Sequence, residues 1–227
     1  MTSLVLAACF FVGIHLFVAG TKLRDRLVGW VGEGAYTVVF SLASIGGLSW
    51  LISAYANADT VVLWSHQAAL RPVALVAVFV ASLFAIVGIT TPSPTATGGE
   101  KQLHAEDHAT GILRITRHPF LWGVAIWAGS HLMVNEDRAS LVLFVAMLVL
   151  AVSGPPSIDA KRKRRFGKDW DRFAAVTSNV PFAAIAAGRN SLVVRELVGW
   201  RLAFGMVAYV VLLVFHQRLF GVSPMPL

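Results

Sequence analysis

Apolar residues in this chain come in long uninterrupted runs, with little alternation between apolar and polar positions. Residues 2–20, 35–57, 72–99, 119–135, 139–158 and 202–217 contain no Asp, Glu, Lys or Arg. Most of these runs are close to the roughly 17–25 residues that a membrane-spanning helix needs. A segment in hydrocarbon must satisfy its backbone groups internally, and the missing period-two pattern argues for helices over a barrel. The pattern therefore predicts an all-α, polytopic membrane bundle of about six transmembrane helices. It reads as one domain over residues 1–227, with a basic surface segment at about 157–198.

Punctuation along the chain sets the expected boundaries. Ala19-Gly20-Thr21 closes the first run, and an amphipathic connection through Leu23-Arg24-Asp25 carries Glu33. Gly46 and Gly47 fall within the second helix, where small residues permit close contact. A polar loop with Asp59 and His66 leads to Arg71-Pro72, which opens the third helix, and Thr91-Pro92-Ser93-Pro94 ends it. Residues 99–108 read as a mobile loop. Arg117-His118-Pro119 starts a short fourth helix that stops at Asn135-Glu136-Asp137-Arg138, and Gly154-Pro155-Pro156 is expected to close the fifth. Trp170, Phe173 and Phe182 are expected at the membrane interface.

Composition agrees with this picture. The chain is 56% hydrophobic and 14% charged, outside the range of ordinary soluble domains. The net charge of +7 raises the question of nucleic acid, but its distribution answers it. Sixteen of the nineteen Lys and Arg residues fall in alternate loops, leaving Arg71, Arg138 and Arg218 for the other side. By the positive-inside rule both termini are expected outside the cytoplasm, in a multi-pass protein of a cytoplasmic membrane. The run Lys161-Arg162-Lys163-Arg164-Arg165 then reads as an anchor to anionic membrane lipids, with no nucleic-acid partner. No Lys or Arg precedes the first apolar run, so it is expected to stay as a helix and not to be removed as a signal peptide. The single cysteine, Cys9, excludes a disulfide framework within one chain.

Two histidines lie inside apolar runs, His15 in the first and His131 in the fourth. Ionisable groups inside a bilayer are costly and are functional-site hypotheses by default, though an interhelical hydrogen bond explains each equally well. Two imidazoles from separate helices can also hold one haem iron. Counted from Gly20 and Pro119, their depths differ by about 10 Å, and they agree only if the first helix continues to about Arg26. His104 and His108 have the i, i+4 spacing of a helical metal pair, although nearby glycines weaken the helix. His66 and His216 read as loop or interfacial residues.

Several segments together resemble a known family. They are His15-Leu16-Phe17-Val18-Ala19-Gly20 with Leu23-Arg24-Asp25, Gly32-Glu33 with Tyr36 and Phe40, and Gly111-Ile112-Leu113-Arg114-Ile115-Thr116-Arg117-His118-Pro119 continuing to Trp127, His131 and Leu132. With Thr177-Ser178-Asn179-Val180-Pro181-Phe182 near the C-terminus, they resemble the NnrU family, which includes the ζ-carotene isomerases of plants and cyanobacteria. The resemblance implies a haem b held by two histidines, which map onto His15 and His131 as metal ligands and as the reactive centre. It also implies that one ligand can leave when the iron changes oxidation state. It gives His118 a place beside the haem edge and lets Arg24, Arg114 and Arg117 pair with propionates, the competing reading being a helix entry and positive-inside anchors.

Three functions follow. Without the N-terminal extension of the plant isomerases, the chain has the form of the bacterial NnrU proteins associated with denitrification, which puts a nitric-oxide-linked haem protein first. A haem-dependent cis–trans isomerase of ζ-carotene or another apolar polyene comes next. Arg117-His118-Pro119-Phe120-Leu121-Trp122-Gly123, with Phe166-Gly167 and Trp170, also resembles membrane methyltransferases that use S-adenosylmethionine. There adjacent glutamates are expected where this chain has Ile158-Asp159-Ala160-Lys161.

Overall fold

A computed structural model describes residues 1–65, 68–96, 98–105 and 109–225. Helix α1 (Thr2–Gly13) continues as a π-helix over Ile14–Ala19 and stops at Gly20. Thr21 then turns to extended backbone, and its hydroxyl accepts from the Leu23 N–H to cap α2 (Lys22–Val31). Helix α3 (Glu33–Ala56) crosses back, and a 3₁₀ turn (Ala68–Leu70) leads into α4 (Arg71–Thr90), with Pro72 in its first turn. A 3₁₀ segment (Glu100–His104) and the single turn α5 (Ile112–Ile115) precede α6 (Pro119–Val134). Helix α7 (Arg138–Phe166) is the longest, and α8 (Lys168–Val176), α9 (Ala183–Ala186) and α10 (Val194–Leu197) lead to α11 (Trp200–Phe220).

Five helices are long and apolar enough to cross a membrane, and α6 is a sixth, shorter apolar helix. At 16 residues α6 is about 24 Å long, short for a hydrocarbon core of about 30 Å. Each of the six packs chiefly on its neighbours in the order α3, α1, α7, α6, α4, α11. Helix α7 thus joins two groups. One of its stripes, Ala139, Ala146 and Leu150, packs with Leu4, Ala7 and Phe11 of α1. A second, through Phe144 and Gly154, meets Trp127, His131 and Leu121 of α6. The outermost helices leave long apolar faces uncovered, such as Val39 and Leu42 on α3 and Val210 and Val214 on α11, as a lipid-facing surface should.

Alternating direction sorts the loops into two ends. At one end the 57–70 connection bonds the α6–α7 turn, with Leu63 N–H donating to Glu136 O (2.7 Å) and Arg138 N–H to Val61 O (3.0 Å). At the other end, called the basic end below, α2, α5, α8 and the start of α11 come together. There Arg201 Nε donates to Thr90 O (3.0 Å), and Ser157 Oγ and Lys161 Nζ donate to Gly20 O (3.0 Å) and Ala19 O (2.7 Å).

Two expectations are corrected. Helix α7 does not end at Gly154-Pro155-Pro156 but runs on to Phe166. A mid-helix proline removes one backbone bond, and here the bonds of Ser157, Asp159 and Lys161 to other elements hold the turn beyond it. Trp170 and Phe173 are not interfacial anchors, because they are buried against Leu103 in a small second core, whereas Phe182 is exposed. Within the basic segment, Thr177 and Ser178 are buried, whereas Val180 and Phe182 are exposed.

Candidate functional site

The two longest motifs of the sequence meet at the basic end. Thr116 Oγ1 donates to Asn179 O (2.5 Å), Trp122 Nε1 donates to the same carbonyl (2.8 Å), and Arg117 N–H donates to Ser178 O (3.0 Å). Phe182 N–H donates to Ile115 O (2.8 Å) and is the one non-glycine residue with positive φ (64°) among the described residues. The segment before α6 and the segment after α8 are thus clamped as one unit.

His118 is the N-cap residue of α6 and is buried. Its Nε2 donates to Asp159 Oδ1 of α7 (2.7 Å), and Arg117 Nε donates to both oxygens of the same carboxylate (3.1 and 3.0 Å). Burial pushes the His118 imidazole below its ordinary value and outweighs the pull of Asp159, with Arg117 acting in the same direction as burial. His118 is therefore a neutral donor fixed at a helix entry. Arg114 forms a fork on Glu196 (2.8 and 3.0 Å) and reaches Asn190 Oδ1 (2.9 Å), while Gly111 N–H donates to Glu196 Oε2 (2.7 Å). The Arg114 hydrogen bonds hold the Glu196 carboxyl below the usual carboxylate range.

His15 sits in the π-helix, a local form frequent at functional sites. Its Nδ1 lies 2.7 Å from Phe11 O, and its ring packs on Phe11 and Phe40, with Tyr36 stacked beyond Phe40 and the Arg24 guanidinium over Tyr36. His131 repeats the device, with Nδ1 2.8 Å from Trp127 O and its ring on Trp127 and Phe144. A carbonyl only accepts, so each contact requires the proton on Nδ1. Each Nε2 keeps a lone pair that no described residue engages.

Singly, each Nε2 is a nitrogen of the kind a metal ion takes as ligand. As a pair they do not fit one haem iron, which needs its two axial nitrogens about 4 Å apart. Gly20 lies level with Ser157, and Gly154 faces Leu121, so His15 and His131 differ in depth along α7 by about 12 Å. The turn at Thr21 prevents the straight continuation to Arg26 that would bring them level. The three arginines expected on propionates are each bound to a carboxylate, Arg24 to Glu33, Arg114 to Glu196 and Arg117 to Asp159.

His104 is exposed and lies 3.9 Å from Asp169, whereas His108 and His66 fall outside the described residues. No cluster of three or more His, Cys, Asp or Glu suited to a metal ion occurs among the described residues. His216 Nδ1 bonds Val222 O within the C-terminal turn (2.9 Å). Sequence reasoning missed the roles of Asp159 and Glu196. A lone carboxylate just past the apolar run of α7 was the available signal for the first, whereas Glu196 carried none.

Comparison with known proteins adds identity to this geometry. The family model described as NnrU protein matches residues 3–224. The 15-cis-zeta-carotene isomerase of Arabidopsis thaliana, a chloroplastic protein, is 27% identical over 194 residues, 84% of this chain and 52% of the relative. The corresponding isomerase of Zea mays is 27% identical over 193 residues, with 83% and 52% covered. The chain spans about half the length of these relatives. No solved structure matches it significantly.

Proposed function

Because the chain belongs to the NnrU family, we propose that it is a membrane-embedded cis–trans isomerase of a long polyene such as 15-cis-ζ-carotene. The observation that carries this reading is the match to two 15-cis-zeta-carotene isomerases across more than four-fifths of the chain. It takes precedence over a nitric-oxide-linked haem role, for which no relative speaks, and over methyl transfer, since Asp159 is engaged by Arg117 and His118.

The reaction changes no composition. The protein must admit a bent apolar chain from the bilayer, hold the ends of the reacting bond, and lower its rotation barrier. The uncovered apolar faces, such as Val39 and Leu42 on α3 and Val210 and Val214 on α11, and the placing of α1 and α6 on separate stripes of α7 support the first requirement. The aromatic wall of Phe11, Phe40 and Tyr36 beside His15 suits a conjugated hydrocarbon. The Nε2 lone pair of His15 is the group assigned to the reacting segment, and His131 is assigned to the far end of the chain.

Haem b is a proposal that rests on the family resemblance alone. The test incubates the purified protein with 15-cis-ζ-carotene in the dark and separates the isomers by chromatography, with an absorption spectrum recorded on each sample. Loss of the 15-cis isomer that vanishes in His15→Ala and persists in His104→Ala is expected. A haem spectrum lost in both His15→Ala and His131→Ala would require a different register of α1 against α6. Unchanged isomers with folded protein would refute the isomerase.

A further inference from the structure

A half-open cavity of about 800 Å³ lies at the basic end, walled by α2, by Thr95, Gly98 and Glu100, and by the last turns of α7. Five of its lining residues are cationic and three are anionic. The carboxylates are taken by arginines. Glu33 holds Arg24 (2.5 Å) and faces Arg165 (3.7 Å), Glu100 holds Arg162 (2.8 Å), and Asp25 faces Arg164 (3.6 Å). Lys161 is the remainder. It is half-buried, its Nζ donates to Ala19 O (2.7 Å), and it has no carboxylate within 4 Å among the described residues.

A cavity with two positive charges in excess, one of them a half-buried ammonium, is left electrostatically incomplete. Lys161 stands three residues past the end of the apolar run of α7, where a bilayer changes from hydrocarbon to headgroup, and Val28 and Ile158 add apolar lining. The two donors that the Lys161 ammonium keeps beyond its bond to Ala19 O, with the positive charge of the arginines beside it, match the oxygens of a phosphate group. Basic pockets between helices on this side of a membrane recognise phosphorylated headgroups.

We propose that this cavity is a phosphate-binding site with Lys161 as its central cation. The bond from Lys161 to Ala19 O ties the bound phosphate to the end of the π-helix that carries His15. The site stands independently of the polyene reading. Its two possible sources are the headgroup of an anionic lipid and a soluble phosphate.

The experiment measures the thermal unfolding midpoint of the full chain in neutral detergent. It is made with short-chain phosphatidylglycerol, with short-chain phosphatidylcholine and with inorganic phosphate. An upward shift with phosphatidylglycerol, lost in Lys161→Gln and kept in Lys161→Arg and in Lys163→Gln, supports the site with a lipid source. The same Lys161-dependent shift with inorganic phosphate supports it with a soluble source. Lys163 is the control because it is exposed and faces Asp171 (3.3 Å). Equal shifts in wild type and Lys161→Gln, equal shifts with phosphatidylcholine, or no shift at all would overturn the proposal. Should Lys161→Gln fail to fold, Arg165→Gln, an exposed cation of the cavity lip, should reduce the shift in its place.

Discussion

Asp159 gathers Arg117 and His118 onto one carboxylate and so joins the entry of α6 to α7. Asp159→Asn leaves the Arg117 charge uncompensated in a partly buried place and should cost about 3 kcal/mol. The expected outcome is a lowered unfolding midpoint in detergent; an unchanged midpoint would mean that the pair adds nothing to the joint. His118 also gives stability a pH dependence. Its folded pKa is depressed, so the folded state binds fewer protons than the unfolded state, and its contribution is present above about pH 6.5 and lost as pH falls through the folded value. The unfolding midpoint of wild type should drop on acidification through that range, and His118→Asn should flatten the drop. Arg117, His118 and His15 were legible as chemically loaded residues because each interrupts or borders an apolar run. Asp159 was read only as a departure from another family's pattern. Its partners lie 42 and 41 residues earlier, and contacts over that separation leave no local period to read.

At the scale of elements, apolar runs named all six long helices, since hydrocarbon leaves the backbone few alternatives. The end of α7 was misplaced because a proline pair stops an isolated helix, whereas this one is held by α1 and α6. The π-helix at His15 was not legible, because one extra residue per turn changes no composition. Helices α4 and α6 meet backbone to backbone. A Cβ on Gly123 would stand 2.6 Å from Ala85 N, and one on Gly88 would stand 2.6 Å from Phe120 N. Gly123→Ala must therefore part the helices and should destabilise by about 1–3 kcal/mol. Gly129→Ala, on the same helix with open space around its Cβ, should be neutral or slightly stabilising. Equal effects of the two substitutions in thermal unfolding would contradict the close contact.

Across the whole molecule, two groups of helices share α7, and the residues richest in chemistry stand at the basic end or along that shared helix. The bundle and its family membership could be read from the chain itself, through run length and through motifs that the fold brings together at Thr116, Ser178 and Asn179. The depths of His15 and His131 could only be bracketed, since they depend on where α1 turns and on how it registers against α7. The isomerase reading is tested most directly by the isomer composition of 15-cis-ζ-carotene in proteoliposomes kept in the dark. Liposomes carrying the protein should deplete the 15-cis form relative to empty liposomes, and those carrying His15→Ala should not. An isomer ratio identical to that of empty liposomes, from protein whose helix content and unfolding midpoint are intact, would contradict it.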